Sequence, residues 1–204
     1  MKIIGFLVLL LTFGCFTSFG QINKGTLLLG GTVSFAKNDA SKEDLLYNPN
    51  KQIEYKKFKL GPRGAYFLKN NFALGVLVNY QHNKTRSLDV EQGIISEGQS
   101  QTLEAGPFVR YYHFATPELA FFGQASATYS HNYRLKDYYG INANLAPGLT
   151  YFISSKVGLE LTIGGLSYNH GVYKPDENNK STNSFIEARF MNGSQIGASF
   201  YLSR

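Results

Sequence analysis

Residues 60–75 read LGPRGAYFLKNNFALG, and the same phrase returns as AGPFVRYYHFATPELAFFG at 105–123 and as LAPGLTYFISSKVGLEL at 145–161. Each copy contains Gly or Ala before a proline, an aromatic pair, a short polar turn and a new run of alternating apolar residues. The three prolines stand 45 and then 40 residues apart. A repeat of this period indicates one supersecondary unit used several times. Here the unit is strand, turn and strand, which predicts an up-and-down antiparallel β-barrel.

Residues 1–20 predict a secretory signal peptide and not a part of the fold. A positively charged start is followed by apolar residues 3–11 and by Ser18-Phe19-Gly20, a small-x-small cleavage site. The apolar run is shorter than the roughly 18–20 residues that a transmembrane helix needs. We therefore expect residues 21–204 to be the mature chain, which has the length of one domain.

Cysteine and charge usage exclude several functions. The one cysteine, Cys15, lies within the signal segment. Residues 12–15, TFGC, resemble a lipoprotein cleavage box without its usual leucine, so lipidation of Cys15 stays open as an alternative. Cleavage after Gly20 would leave no cysteine, and hence no disulfide and no thiolate metal site. The net charge of +6 comes without a dense Lys/Arg run, so we expect no nucleic-acid partner.

Eight segments of alternating hydrophobicity predict eight strands. They are residues 25–35, 53–67, 72–84, 99–113, 119–132, 139–152, 157–170 and 183–202. Short connections alternate with mostly longer polar ones. The short ones are 68–71, 114–118 and 153–156, and the long ones are 36–52, 85–98, 133–138 and 171–182. An even strand number with this asymmetry is typical of bacterial outer-membrane barrels, and it predicts that both termini lie in the periplasm.

One face of each predicted strand is apolar, and the other is small, polar or charged. A soluble lipocalin-like barrel would bury the apolar face, whereas a transmembrane β-barrel turns it toward lipid. Small residues on the polar face suit a narrow eight-stranded lumen and favour the transmembrane arrangement. Aromatic residues at both ends of the apolar stripes, typical of interfacial girdles, also favour it. They are Tyr66, Tyr111 and Tyr151 at the short turns, and Phe35, Tyr80, Tyr129 and Tyr139 at the long connections.

The polar face carries charges of both signs, which predicts a structural ion-pair network that fills the lumen. Its members are Lys57, Lys59, Arg63, Glu104, Arg110, Glu160, Glu187 and Arg189. Pro62, Pro107 and Pro147 lie within predicted strands and share the lipid-facing parity. Since a closed barrel has no edge strand to accommodate a missing N–H, they predict a tolerated bulge or kink at one level.

Five stretches of the sequence resemble the Gram-negative "outer membrane protein beta-barrel domain" family, which has an OmpX/OmpA-like architecture. They are GPRGAYFLKNNFALG, GPFVRYYHF, ELAFFGQASATYS, APGLTYFIS and GLELTIGGLSY. The resemblance covers about residues 24–202. It implies a bacterial outer-membrane location, contact with lipid and lipopolysaccharide, and the barrel assembly machinery as a partner, without a shared catalytic motif. Family members usually end on an aromatic residue, whereas this chain ends FYLSR at residues 200–204.

The sequence leads us to expect a non-catalytic monomer without cofactor or metal, in a structural, envelope or surface-interaction role. The long connections 36–52, 85–98 and 171–182 are candidates for an extracellular partner. A narrow pore for ions or small solutes is the first alternative. A lipid A-modifying enzyme is the weaker one: Ser130, His131 and Asp137 suit a triad by type, but adjacent strand residues face opposite ways. His82, His113, His131 and His170 do not have the spacing of a metal site.

Overall fold

The computed structural model describes residues 21–40, 51–89, 94–132, 138–176, 179–189 and 194–202. The predicted signal peptide, with Cys15, and the candidate Asp137 lie outside these ranges. Over the described ranges there is no helix long and apolar enough to cross a membrane. The strands are β1 (Leu27–Ala40), β2 (Lys51–Lys69), β3 (Phe72–Asp89), β4 (Ile94–Phe114), β5 (Leu119–Asn132), β6 (Tyr138–Ser154), β7 (Val157–Thr162), β8 (Gly165–Asp176), β9 (Asn179–Arg189) and β10 (Gln195–Leu202).

The ten strands form one antiparallel sheet whose pairings return to their starting point. Each strand from β1 to β5 pairs with the next, and β5 pairs with β6. Strand β6 then pairs with β7 through Gly148–Ser154 and with β8 through Tyr138–Leu145. Strand β10 joins β7 to β1 and so completes a ring. The antiparallel all-β arrangement predicted from the repeated phrase is therefore confirmed.

The strand count differs from the prediction, because two of the eight expected strands are each divided. The segment 157–170 separates into β7 and β8 at Ile163-Gly164, where Gly164 and Gly165 have φ of 67° and 154°. These left-handed conformations suit glycine and interrupt an extended strand. The segment 183–202 contains β9 and β10, which lie on either side of residues 190–193, outside the described ranges. Strand β9 pairs with β8, and β10 pairs with β7.

The ring is uneven at the end where the long hairpins lie. Strand β1 pairs with β10 only over Leu27–Val33, and among the described residues β9 pairs with β8 alone. In the connections expected at 36–52, 85–98 and 171–182, the described residues are strand: 36–40, 51–52, 85–89, 94–98, 171–176 and 179–182. Pairing continues, for example, to Ala40↔Ile53 and Asp89↔Ile94. The polar residues of these segments remain compatible with a ladder, since solvated hairpins need no apolar face.

The short turns at the other end were predicted correctly. Asn70 and Asn71 join β2 to β3, and Asn71 adopts φ 63°, a left-handed conformation that asparagine tolerates. In the turn between β4 and β5, the Thr116 hydroxyl oxygen accepts a hydrogen bond from the backbone N–H of Leu119 at 3.1 Å. Side-chain oxygens of this kind replace the backbone partners that a tight turn lacks.

The apolar face of the sheet points outward, as the alternation and the girdle residues predicted. On β3, Leu74, Val76 and Val78 are exposed, whereas Ala73 and Leu77, at alternate positions, are buried. The same alternation runs through β5 and β7. In the described strands the apolar parity is therefore the exposed one, unlike the arrangement expected for a lipocalin-like barrel.

The three repeated prolines lie where the ladder is interrupted on one side. Pro62 pairs with β1, but the β2–β3 ladder omits Gly61 and Pro62. Pro107 pairs with β3, and the β4–β5 ladder omits Gly106 and Pro107. Pro147 pairs with β5 and stands opposite the break between β7 and β8. Each missing N–H therefore falls in a gap of the hydrogen-bond pattern, which explains how prolines are tolerated inside these strands.

The glycine in front of Pro107 allows β4 and β5 to approach closely at such a gap. A Cβ at Gly106 would overlap the backbone oxygen of Ala127 and lie 2.8 Å from the Cα of Thr128. We expect Gly106→Ala to lower the free energy of unfolding by about 1–3 kcal/mol, because the backbone must move. Urea unfolding of the folded protein in micelles measures this change.

A matched control lies on the neighbouring strand. Gly123 on β5 is exposed, and a Cβ added there would meet nothing within 4 Å. Gly123→Ala should change the free energy of unfolding by no more than about 0.5 kcal/mol. Equal losses from Gly106→Ala and Gly123→Ala would contradict the close-approach explanation.

Candidate functional site

Two arginines and one glutamate meet in the interior, each from a different strand. Arg110 on β4 places Nη1 at 3.0 Å from both carboxylate oxygens of Glu160 on β7. Arg63 on β2 forms a second ion pair with the same carboxylate. The side chains of Arg110 and Glu160 are 0% exposed, and that of Arg63 is 6% exposed. We call Arg63, Arg110 and Glu160 the ion cluster.

Neutral side chains add hydrogen bonds to Arg110 and Glu160 of the ion cluster. Gln124 on β5 accepts from Nε and Nη2 of Arg110 through Oε1, at 3.0 and 2.6 Å. Ser199 on β10 donates to Glu160. The guanidinium of Arg110 also lies 4.1 Å from the ring centroid of Phe122. A buried ion pair is tolerated when its remaining donors and acceptors are satisfied in this way.

An aromatic layer, which we call the aromatic floor, closes the interior between the ion cluster and the short turns. Its rings are buried and in contact, with centroid separations of 5.1–6.4 Å. They belong to Phe67, Tyr112, Phe114, Phe122, Phe152 and Tyr201. The hydroxyl of Tyr112 joins the floor to the ion cluster, because it accepts from Arg110 at 2.9 Å. It also lies 3.1 Å from the Tyr201 hydroxyl.

The chain before β1 packs beneath this floor. Ile22 is fully buried within the same apolar cluster. Its backbone N–H donates to Oδ1 of Asn71 at 2.8 Å, and the Asn71 N–H donates to the Ile22 carbonyl at 2.9 Å. Gly25 also donates to the Phe67 carbonyl at 2.9 Å. The first turn and the N-terminal segment therefore close the short-turn end together.

A polar cavity of about 380 Å³ occupies the other side of the ion cluster. On β2, β4 and β7, its lining residues other than Arg63 lie nearer to the long hairpins than the ion-cluster residue of the same strand. On β10, its lining residue lies nearer to them than Ser199. Charged lining residues are Lys57, Lys59, Arg63, Glu104 and Glu187. The interior thus changes from aromatic, through ionic, to polar along its length.

The structure brings only part of the predicted charge network together. Arg63, Arg110 and Glu160 form the ion cluster. Glu104 accepts instead from the Nδ2 of Asn79 at 3.3 Å, one strand away. Lys57, Lys59 and Glu187 line the cavity, and Arg189 pairs with Gly165 through its backbone, its side chain lying outside the described part of the chain.

The predicted girdle tyrosines all lie on the outward parity. Tyr66, Tyr111, Tyr151 and Tyr129 are between 47% and 55% exposed. Tyr80 has the same orientation and is half-buried. The sequence interpretation missed the inner aromatic floor. The signal was present in the repeated phrase, since each aromatic pair places its first ring outside and its second ring inside: Tyr66-Phe67, Tyr111-Tyr112 and Tyr151-Phe152.

The described residues do not assemble the catalytic or metal alternatives. Ser130 is buried on the inner face, whereas His131 follows it on the outer face, and Asp137 lies outside the described ranges. No group of three His, Cys, Asp or Glu suited to a metal occurs in the part of the chain that the structure describes. His170 instead contacts the Ser184 hydroxyl at 2.7 Å.

Charged side chains follow the apolar stripe on the outer face of the long hairpins. The carboxylate of Glu54 lies 2.8 Å from Lys56 and 3.4 Å from Lys37. Glu97 on β4 lies 3.5 Å from Lys84 and 3.6 Å from Arg86. Four cations therefore surround two carboxylates on this surface, which we call the outer basic cluster. Its residues are Lys37, Glu54, Lys56, Lys84, Arg86 and Glu97.

No protein-family model matches the chain, and no curated protein matches it in sequence. Solved structures do match. The outer membrane protein OprG from Pseudomonas aeruginosa is 12% identical with a TM-score of 0.50, over 91% of this chain and 99% of that one. The N-terminal beta-barrel domain of OprF from the same organism is 14% identical, with a TM-score of 0.41 over 89% and 100%. Neisserial surface protein A is 12% identical, with a TM-score of 0.44 over 91% and 99%. At these identities the OprG match shows fold alone, so this chain shares the fold of an outer-membrane protein.

Proposed function

We propose that this chain is an eight-stranded, OmpX/OmpA-like outer-membrane β-barrel with a structural, envelope or surface-interaction role. One observation carries the proposal: the sheet exposes an apolar outer face around a polar interior. Burying that face in lipid is favourable, and in water it would be a large exposed apolar surface. The eight strands of the proposal count β7 with β8 and β9 with β10 as single divided strands.

The height of the apolar stripe supports the membrane assignment. On β2 the outward-facing residues are apolar from Phe58 to Leu68. This stretch is about 33 Å long at about 3.3 Å per residue. At the strand tilt of about 40° common in barrels, it spans about 25 Å, the height of the apolar band in outer-membrane barrels.

The outer basic cluster supports the orientation. It follows the apolar stripe of β2 and β3 at the long hairpins, where an outer leaflet would present phosphate groups. Lipopolysaccharide is therefore the lipid partner that we propose for Lys56, Lys84 and Arg86. The long hairpins would then be extracellular and available to a surface partner, and the short turns, with both termini, would be periplasmic.

The interior supports a non-conducting and non-catalytic role. The aromatic floor and the ion cluster occupy the path that a solute would take, and Ser130 and His131 face opposite ways. These features favour the structural reading over the narrow pore and over the lipid A-modifying enzyme.

Cell fractionation and gel mobility test the proposal. We expect the protein in the outer-membrane fraction, with a gel mobility that changes on boiling as closed barrels show. In planar bilayers the purified protein should give no stable single-channel steps. Recovery from the soluble periplasm would contradict the membrane assignment, and reproducible steps altered by Arg110→Ala would favour the pore.

A further inference from the structure

The ion cluster carries more positive than negative charge. Two guanidiniums, those of Arg63 and Arg110, share the single carboxylate of Glu160. The net charge of the described interior side chains is also positive, with four cations against three carboxylates. They are Lys57, Lys59, Arg63 and Arg110 against Glu104, Glu160 and Glu187. A buried positive excess is costly unless an anion compensates it.

Arg63, whose side chain lines the cavity, also has an unused donor. Its Nε–H has no hydrogen-bond partner in the described structure, although the side chain is only 6% exposed and lines the cavity. Buried donors of this kind are rare in folded proteins. Since the donor belongs to a guanidinium, the partner that suits it best is an oxygen atom carrying negative charge.

Further donors lie along the same cavity wall. The side-chain oxygen of Gln124 accepts hydrogen bonds from Arg110, so its two N–H donors remain for other partners. Lys59 occupies the inner face of β2 two inward positions from Arg63. Gly61 between them has no side chain, and the space beside it holds Oδ1 of Asn79 and the Thr32 hydroxyl. Lys59, Arg63 and Gln124 thus supply charged and neutral donors to the lining of one polar cavity.

We propose that the cavity binds a small oxyanion, a carboxylate or a phosphate, beside the Arg63 guanidinium at the ion cluster. The cavity has a volume of about 380 Å³, which is large enough for a small organic acid or a phosphate. The ion cluster and the aromatic floor close the cavity on the side of the short turns, so an anion bound there would not pass through the interior. The inference depends on the polar interior and not on the membrane location.

Isothermal titration calorimetry tests the site on the full folded protein in non-ionic maltoside micelles. Sodium acetate and sodium phosphate, at one ionic strength, are the two probes. Arg63→Gln should weaken binding tenfold or more, the typical effect of losing a charge-assisted hydrogen bond. Lys59→Gln should weaken it about three- to tenfold without removing an ion-cluster residue. Lys69→Gln, exposed at the other end of the same strand, is the matched control and should stay within about twofold.

Each outcome decides the inference. Saturable binding of either anion that responds to Arg63→Gln and Lys59→Gln, but not to Lys69→Gln, supports it, and the tighter probe identifies the oxyanion. If Arg63→Gln fails to fold, Lys59→Gln and Lys69→Gln decide alone. No binding of either salt, or equal binding by Lys59→Gln and the wild type, overturns it. Neither result alters the fractionation and gel tests of the membrane assignment.

Discussion

Replacing Glu160 with glutamine is expected to lower the free energy of unfolding by about 3–5 kcal/mol. The carboxylate is 0% exposed and compensates both Arg63 and Arg110. Glutamine keeps the size but removes the charge, which leaves two buried guanidiniums close together. Urea unfolding in micelles, followed by circular dichroism, measures the change.

A surface ion pair provides the control for this effect. Glu97 contacts Lys84 and Arg86, but its side chain is 45% exposed. Glu97→Gln should therefore cost no more than about 1 kcal/mol. If Glu160→Gln costs no more than Glu97→Gln, water reaches the ion cluster and the interior is open. A double-mutant cycle of Glu160→Gln with Arg110→Met isolates their coupling, and part of the stability should return in the double variant.

Removing the Tyr112 ring should have two large effects. The ring contacts Phe67, Phe122 and Tyr201, so Tyr112→Ala should lower the free energy of unfolding by about 3–5 kcal/mol. It also removes the centre of the aromatic floor. Planar bilayers should then show single-channel steps that the wild type lacks.

The neighbouring residue is a matched control, because it is chemically identical and faces outward. Tyr111 is 55% exposed, and Tyr111→Ala should leave the bilayer record silent. Tyr112→Phe keeps the ring but loses the hydroxyl that contacts Arg110 and Tyr201, so it should stay closed with a smaller loss of stability. A silent Tyr112→Ala variant that inserts normally would show that the ion cluster and the N-terminal segment close the interior without the Tyr112 ring.

Local patterns in the chain were sufficient to predict the strands and their faces. Alternation at residues 72–80 identifies the outer stripe of β3, and Asn70-Asn71 marks a turn without knowledge of any partner. The division of strand 157–170 was missed, because a glycine pair such as Gly164-Gly165 also occurs in continuous strands. Its effect depends on the break facing Pro147.

The candidate site was predictable by residue type and not by partner. Parity places Arg63, Arg110 and Glu160 on the inner face, but they come from β2, β4 and β7 and meet across the interior. No sequence separation encodes contacts between non-neighbouring strands. The neutral residues Gln124 and Ser199 were missed for the same reason.

The gaps beside the repeated prolines give the wall a level at which it can deform. Each proline precedes an outward tyrosine by four residues, so the three gaps recur at a similar distance from the short turns. Widening the ring at Pro62 or Pro107 separates the strand pairs β2–β3 and β4–β5, which share no ladder hydrogen bond at that point. Elsewhere along the same strands the same distortion would break one. The prolines thus place the most easily deformed points of the sheet at a similar distance from the short turns.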